Sequence, residues 1–204
     1  MNGSLKTAAK IAAMSAAALL SGCALVPMTV HSHYTPPANV SKVPGAEKVV
    51  VDVVVKNEKK HKNEVSVQKD AYGIPMTGVS MPVDKDFRRA IDKALVSRGF
   101  KIGENGNTTV DVLVKKFFVP AHAGVWTSNH TGRLNLQVRV LNGLGRVTYS
   151  KSIIISHYYH NSSFLSTGIY GSINGLLDDG ISKMFNEHQF IHALLESGDG
   201  PAKD

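Results

Sequence analysis

His188-Gln189-Phe190-Ile191-His192 sets two imidazoles four residues apart, a spacing that on a helix lets both reach one zinc ion. The zinc-protease pattern needs a glutamate base directly after the first histidine, and Gln189 stands there instead. The pair is therefore expected to be structural, with His188 partly buried beside an apolar stripe. Gly78-Val79-Ser80-Met81-Pro82 holds a serine, but Pro82 occupies the place where a nucleophile elbow needs glycine. Gly143-Leu144-Gly145 lacks the third glycine and the following helix of a dinucleotide loop, and is expected to be a turn. His157-Tyr158-Tyr159-His160 mixes imidazole and phenol, yet alternation along a strand sends neighbours to opposite faces. Asp178-Asp179 is expected to be a solvated helix face, and no carboxylate pair stands out for glycoside hydrolysis. No catalytic residue, metal ligand or cofactor is assigned from these patterns.

The remaining reactive group is the thiol of Cys23, the only cysteine in the chain. Met1 to Lys10 carries Lys6 and Lys10 and no acid, and Ile11 to Leu20 is apolar or small apart from Ser15. These are the charged and apolar regions of a secretory signal. A helix needs about 20 apolar residues to span a bilayer, and this run is about half that. Leu20-Ser21-Gly22-Cys23 resembles the lipobox of bacterial lipoproteins. The resemblance implies a signal peptide over 1–22, a diacylglyceryl thioether on Cys23, and acylation of the new amine, as with palmitate. Each buried methylene contributes about 0.8 kcal/mol, so two or three chains hold a protein on a membrane where one binds only marginally. Ala24 follows, rather than the Asp that retains enterobacterial lipoproteins at the inner membrane. The resemblance thus implies the outer membrane, with the folded part facing the periplasm. A lipidated Cys23 leaves no thiol for a disulfide, a zinc site or a nucleophile.

The positioning elements lie beyond this point. From Ala24 to about residue 47 the chain mixes Pro27, Pro36, Pro37 and Pro44 with Ser, Thr, Asn and His, and is expected to be a flexible tether carrying His31 and His33 as ordinary polar residues. Residues 48–196 suit one domain, and 197–204 a disordered tail. Val49 to Lys56 is the strongest strand signal, with Val49, Val51, Val53 and Val55 on one face; it is expected inside the sheet. Asn57 to Met81 is expected to be a long polar loop, functional or mobile, in which Lys59, Lys60 and Lys62 are candidate contacts for an anionic ligand. Val83 to Arg98 has helical apolar spacing, acids in its first turn and Gly99 to end it. Strands are expected over Thr109 to Val119, Arg133 to Leu141 and Arg146 to His157. The second of these alternates cleanly, and Asn142 to Gly145 turns it into the third. A closing helix is expected from about Ser172 to Leu195, starting late enough to exclude Gly168 and Gly171.

The expected fold is α+β, a two-layer sandwich of a mainly antiparallel four-stranded sheet under two helices in the order β-α-β-β-β-α. The lipobox, the Val49–Lys56 strand, Ala94-Leu95, Gly99-Phe100-Lys101-Ile102-Gly103 and Phe190-Ile191 together resemble the YajG family of bacterial lipoproteins. That family has no assigned enzymatic activity. The lysine-rich loop and the extended hairpin around Trp126 depart from it. Phe117 to Trp126 joins two strands through Pro120 and Gly124 and carries the only tryptophan, so Trp126 and Phe118 are candidate partner contacts; the alternative is a lid folded on the core.

Removing residues 1–22 takes away two lysines, lowering the formal charge from +7 to about +5. For an exported chain such charge excludes nucleic acid and leaves anionic lipid or glycan, or mere solubility. The leading expectation is a non-enzymatic interaction or assembly module of the cell envelope, anchored through Cys23 and meeting an envelope protein. The alternative is a binding lipoprotein for lipopolysaccharide, phospholipid or peptidoglycan, and a remote one is an envelope hydrolase.

Overall fold

The computed structural model describes residues 27–69, 72–104, 106–123, 128–161 and 165–198. Its elements in order are β1 (Met28–Thr29), a short 3-10 turn (Ala46–Lys48), β2 (Val50–Asn57), β3 (Glu64–Lys69), β4 (Pro75–Ser80), α1 (Val83–Ser97), β5 (Lys101–Ile102), β6 (Thr108–Phe118), β7 (Ala121–Ala123), β8 (Ser128–Asn142), β9 (Val147–Asn161), α2 (Leu165–Phe185) and α3 (His188–Gly198). The mixed α+β, layered character follows the sequence reading. The expected four-stranded sheet does not: nine strands pair among the described residues.

The strands form a five-strand body, β9-β8-β6-β2-β5, and a three-strand wing, β1-β4-β3, bridged by β7. β8 pairs with β9 along nearly its whole length. Its other edge pairs first with β7 and then with β6. The sheet is mixed rather than mainly antiparallel, because β2 runs parallel to both β6 and β5. Between β2 and β6 the chain makes the β3–β4 hairpin and α1, and a crossover of that kind returns a strand in the same direction. β2 lies inside the strand order as expected, but only Val50 and Val51 meet β5.

One face of the body is apolar throughout. Val51, Val53, Val110, Val112, Val114, Leu136 and Val138 are each at most 1% exposed. Over them lie Phe87, Ile91 and Leu95 of α1, Ile173, Leu177 and Ile181 of α2, and Phe190 and Leu194 of α3. Gly99, at φ 100°, ends α1 as its position predicts. Asn142 accepts the backbone N–H groups of Leu144 and Arg146 through Oδ1, and Gly145 takes φ 74°, closing the β8–β9 turn.

Four expectations need correction. The Asn57–Met81 loop contains the β3–β4 hairpin, whose Val65 and Val79 are fully buried. The closing helix is two helices broken near Asn186 and Glu187, so three helices cover the sheet. It also starts early, at Leu165, so Gly168 and Gly171 lie inside α2; further along, a Cβ at Gly175 would meet the Tyr159 ring at 3.2 Å and one at Gly180 would overlap Leu134. Gly175 and Gly180 let the helix sit close on its own sheet. The domain does not stop at residue 196, since Ser197 is buried and Asn107 donates to the Gly198 carbonyl; residues 199–204 lie outside the described residues.

The fourth correction is the tether. Residues 28–48 form a strap across the helices. Val30, Tyr34 and Ala46 are buried, and β1 pairs with β4. The strap is held by specific polar contacts rather than by an apolar period, which is why its composition reads as linker. The Ser32 N–H donates to the buried Asp86 carboxylate at 2.8 Å, and Arg89 pairs with the same carboxylate at 3.1 Å. Lys93 donates to the Tyr34 carbonyl, and the His33 N–H donates to Asn174. Asp86→Ala is expected to cost about 2 kcal/mol in urea unfolding, because it orphans the Ser32 N–H and unpairs Arg89. Amide exchange should accelerate across residues 30–34, and Asp86→Asn, which keeps an acceptor, should recover part of both effects.

Candidate functional site

Two neighbouring segments build a strongly cationic cleft. The first is the turn from β2 to β3. Asn57 organises it by accepting the Lys59 N–H at 3.2 Å and donating to the Lys62 carbonyl at 2.6 Å. Lys62 returns its ammonium to the Asn57 carbonyl. Lys59 is drawn inward, 7% exposed, and donates to the Glu64 carbonyl at 2.6 Å. Burial pushes its pKa down to about 8, partly opposed by the Glu64 carboxylate. Lys60 and His61 stay exposed at the turn's apex.

The second segment is the end of β6. The β6–β8 register shifts between Val114 and Lys116, so an extra residue is inserted there. In a regular strand Lys115 and Lys116 would point to opposite faces; the bulge leaves both exposed. Phe117 then turns inward, edge-on to Phe87 at 5.1 Å, while Phe118 stays half-buried. The Val119 N–H donates to the Val65 carbonyl at 2.8 Å and Ser66 Oγ donates to the Val119 carbonyl at 2.5 Å, tying the two segments together.

Between them is an open cleft of about 490 Å³ lined by Lys59, Lys60, His61, Glu64, Lys115, Lys116, Phe117 and Phe118. Lys60, Lys115 and Lys116 are exposed here beside the half-buried Phe118, while Lys59 and Phe117 back the wall from inside. Such a surface can hold an anion whose remainder is apolar: the exposed ammonium groups attract the charge, and the Phe118 ring takes part of the rest.

The structure therefore gathers Lys59, Lys60 and Phe118 in one place, although the sequence assigned them to two separate contacts. Lys62 folds onto its own turn and does not line the cleft. Lys115 and Lys116 were missed, and a doubled lysine interrupting the Val110, Val112, Val114 alternation was their only signal. Trp126 and the segment Leu20 to Cys23 lie outside the described residues.

The other polar patterns resolve as follows. His188 is exposed at the start of α3, not partly buried, and His192 pairs with Glu196 at 3.2 Å. His31 lies 3.9 Å from Asp86 and His33 meets the Tyr170 ring edge-on. His157 and Tyr159 share a face and stack at 4.3 Å, and both reach the Asp179 carboxylate, at 2.7 and 3.3 Å. Asp178 is half-buried rather than solvated, and burial together with Asp179 raises its pKa to about 6. Among the described residues no group of three His, Cys, Asp or Glu side chains gathers as a metal site, and no helix is long and apolar enough to cross a membrane.

The described residues define a class, a small α+β domain with three helices over a mixed sheet. A family model for an uncharacterized lipoprotein matches residues 36–195, and the chain belongs to that family. No curated protein matches it. Among solved structures, protein XCC0632 from Xanthomonas campestris superposes with a TM-score of 0.56 at 12% identity, over 81% of this chain and 96% of that one; it shares the fold. A minor lipoprotein from Acinetobacter baumannii gives 0.43 at 9% identity, over 71% and 93%. Lipoprotein GNA1162 from Neisseria meningitidis gives 0.36 at 11%, over 68% and 99%.

Two titrations follow from these environments. Lys59 is expected to lose its proton near pH 8 in a carbon-13 lysine NMR titration. Since the unfolded chain holds that proton to about 10.5, stability should gain as pH rises from about 8 to 10.5. Asp178 has the opposite sign. The folded chain keeps its proton between the ordinary value of 3.8 and about 6, so the stability it contributes is full below 3.8 and lost as pH rises through 6. Asp178→Asn should therefore be more stable than the wild type in thermal melts above pH 7, with the difference closing near pH 4.

Proposed function

We propose that the protein is a membrane-anchored, non-enzymatic binding module of the cell envelope, whose basic cleft takes an anionic envelope component. Lipid attached at Cys23 holds it on the outer membrane, with the domain in the periplasm. On this reading the chain is a YajG-like lipoprotein, the amine of Cys23 carries palmitate, and the ligand is lipopolysaccharide, phospholipid or peptidoglycan. The supporting observation is the convergence of the exposed Lys60, Lys115 and Lys116 on one cleft beside the half-buried Phe118. An anchored single domain with no convergent catalytic set in its sequence favours an envelope protein as partner; the cleft moves the weight to an anion with an apolar portion.

Membership of a lipoprotein family supports the anchored part of this reading. The second reading, a docking face for an envelope protein, draws on the half-buried Phe118 at the same cleft. Lipopolysaccharide binding by the full lipidated chain separates the two. Each of Lys60→Glu, Lys115→Glu and Lys116→Glu should weaken binding about three- to tenfold at low ionic strength, and the difference should shrink at ~0.5 M salt. Unchanged binding in all three variants would exclude the cleft. A discrete protein adduct from a photo-crosslinker at position 118, with no glycolipid adduct at position 60, would favour the docking face.

A further inference from the structure

We propose that the tip of the β3–β4 hairpin is a membrane-contact element, with Tyr72 and Ile74 entering the headgroup layer of the leaflet that carries the lipid of Cys23. This rests on Cys23 being the anchor, as proposed above. β1 is parallel to β4, with Met28 opposite Val79 and Thr29 opposite Ser80. A parallel pair shares its N-terminal end, so the chain leading into Met28 enters on the side where β4 begins, which is the hairpin tip. Cys23 precedes Met28 by five residues, a reach of about 18 Å at full extension. Ile74 precedes Val79 by five residues, about 17 Å of strand. An anchor at Cys23 thus keeps Met28 within about 18 Å of the bilayer, close to the length of strand that separates it from the hairpin tip.

The tip is built for such a place. Gly73 closes the turn at φ 81°. Tyr72 beside it is 90% exposed and Ile74 is 59% exposed. Pro75 follows, also exposed, and Met28 on the adjoining strand is 37% exposed. In water, a phenol and a branched aliphatic on a protruding turn are disfavoured. At a membrane surface the phenol ring sits at headgroup level and the aliphatic group enters the acyl boundary. Opposite charge is not needed, so this contact is separate from the cleft, which lies at the other end of β3, around Glu64.

Depth probes test this better than release from the membrane, because the acyl chains dominate affinity. A thioether on Cys23 leaves no other thiol, so one introduced cysteine can be labelled alone. Tyr72→Cys and Ile74→Cys report the tip. Leu144→Cys reports the β8–β9 turn, where Leu144 is 62% exposed. Asn129 of β8 is level with Lys69 through His122, and Asn142, next to that turn, lies about 44 Å further along β8 at ordinary strand rise. The lipidated full chain, labelled with an environment-sensitive fluorophore, is reconstituted in phosphatidylethanolamine–phosphatidylglycerol vesicles with or without a shallow spin-labelled lipid. The expected result is about twofold or greater quenching at positions 72 and 74 and none at 144. Quenching at 144 alone, or at none of the three while the chain still floats with the vesicles, would overturn the tip contact and leave the anchor standing. Failure of the wild-type chain to float, or equal flotation of Cys23→Ser, would overturn the anchor and the tip contact with it.

Discussion

Everything in this molecule is arranged around one apolar face, the row of valines and leucines that β2, β6 and β8 turn the same way. Val51, Val53, Val110, Val112, Leu136 and Val138 cannot be left in water, and three helices are the means of covering them. Burial of one such side chain is worth about 1.5–3 kcal/mol, so the face decides the layer order before any polar contact matters. The opposite face is wetter and is organised by cross-strand polar pairs. Asp111 and Arg139 stand directly across β6 and β8 and form an ion pair, and Gln137 exchanges hydrogen bonds with Ser150 and Ser152 of β9.

That face was legible because its periodicity is local. The β8 strand alternates residue by residue and α1 repeats at helical spacing, and both signals survive without knowledge of neighbours. What was not legible depended on distant partners. The strap at residues 28–48 has prolines and no period, and its order comes from Asp86, Lys93 and Asn174, which lie on helices far along the chain. The closing helix looked continuous because Met184, Ile191 and Leu195 keep an apolar stripe going across the break at about 100° per residue. The β3–β4 hairpin hid among lysines because most of its strand residues are only half-buried, and Val65, Ser66 and Val79 are the ones it buries fully among the described side chains.

The cleft shows the same division. Lysine content in the β2–β3 turn was visible, but the fate of each ammonium was not: Lys59 and Lys62 satisfy carbonyls of their own turn, while Lys60 projects. The partners across the cleft come from a bulge in β6, and a register shift has no signature except the damage it does to alternation. A site composed by two segments about fifty residues apart can be read only once the sheet has brought them side by side.

The strap has a mechanical consequence. A load applied at the N-terminus meets the described fold first at a two-residue ladder, Met28 and Thr29 on β4, and then at the Val30–Ser80 and Ser32–Asp86 hydrogen bonds. These are few, so they are expected to yield before the five-strand body does, with the buried Val30, Tyr34 and Ala46 resisting in turn. Freed up to residue 48, the strap would add about 70 Å of contour length. The chain thus carries a folded reserve of slack between its N-terminus and its body, one that shortens the leash at rest and lengthens it under tension.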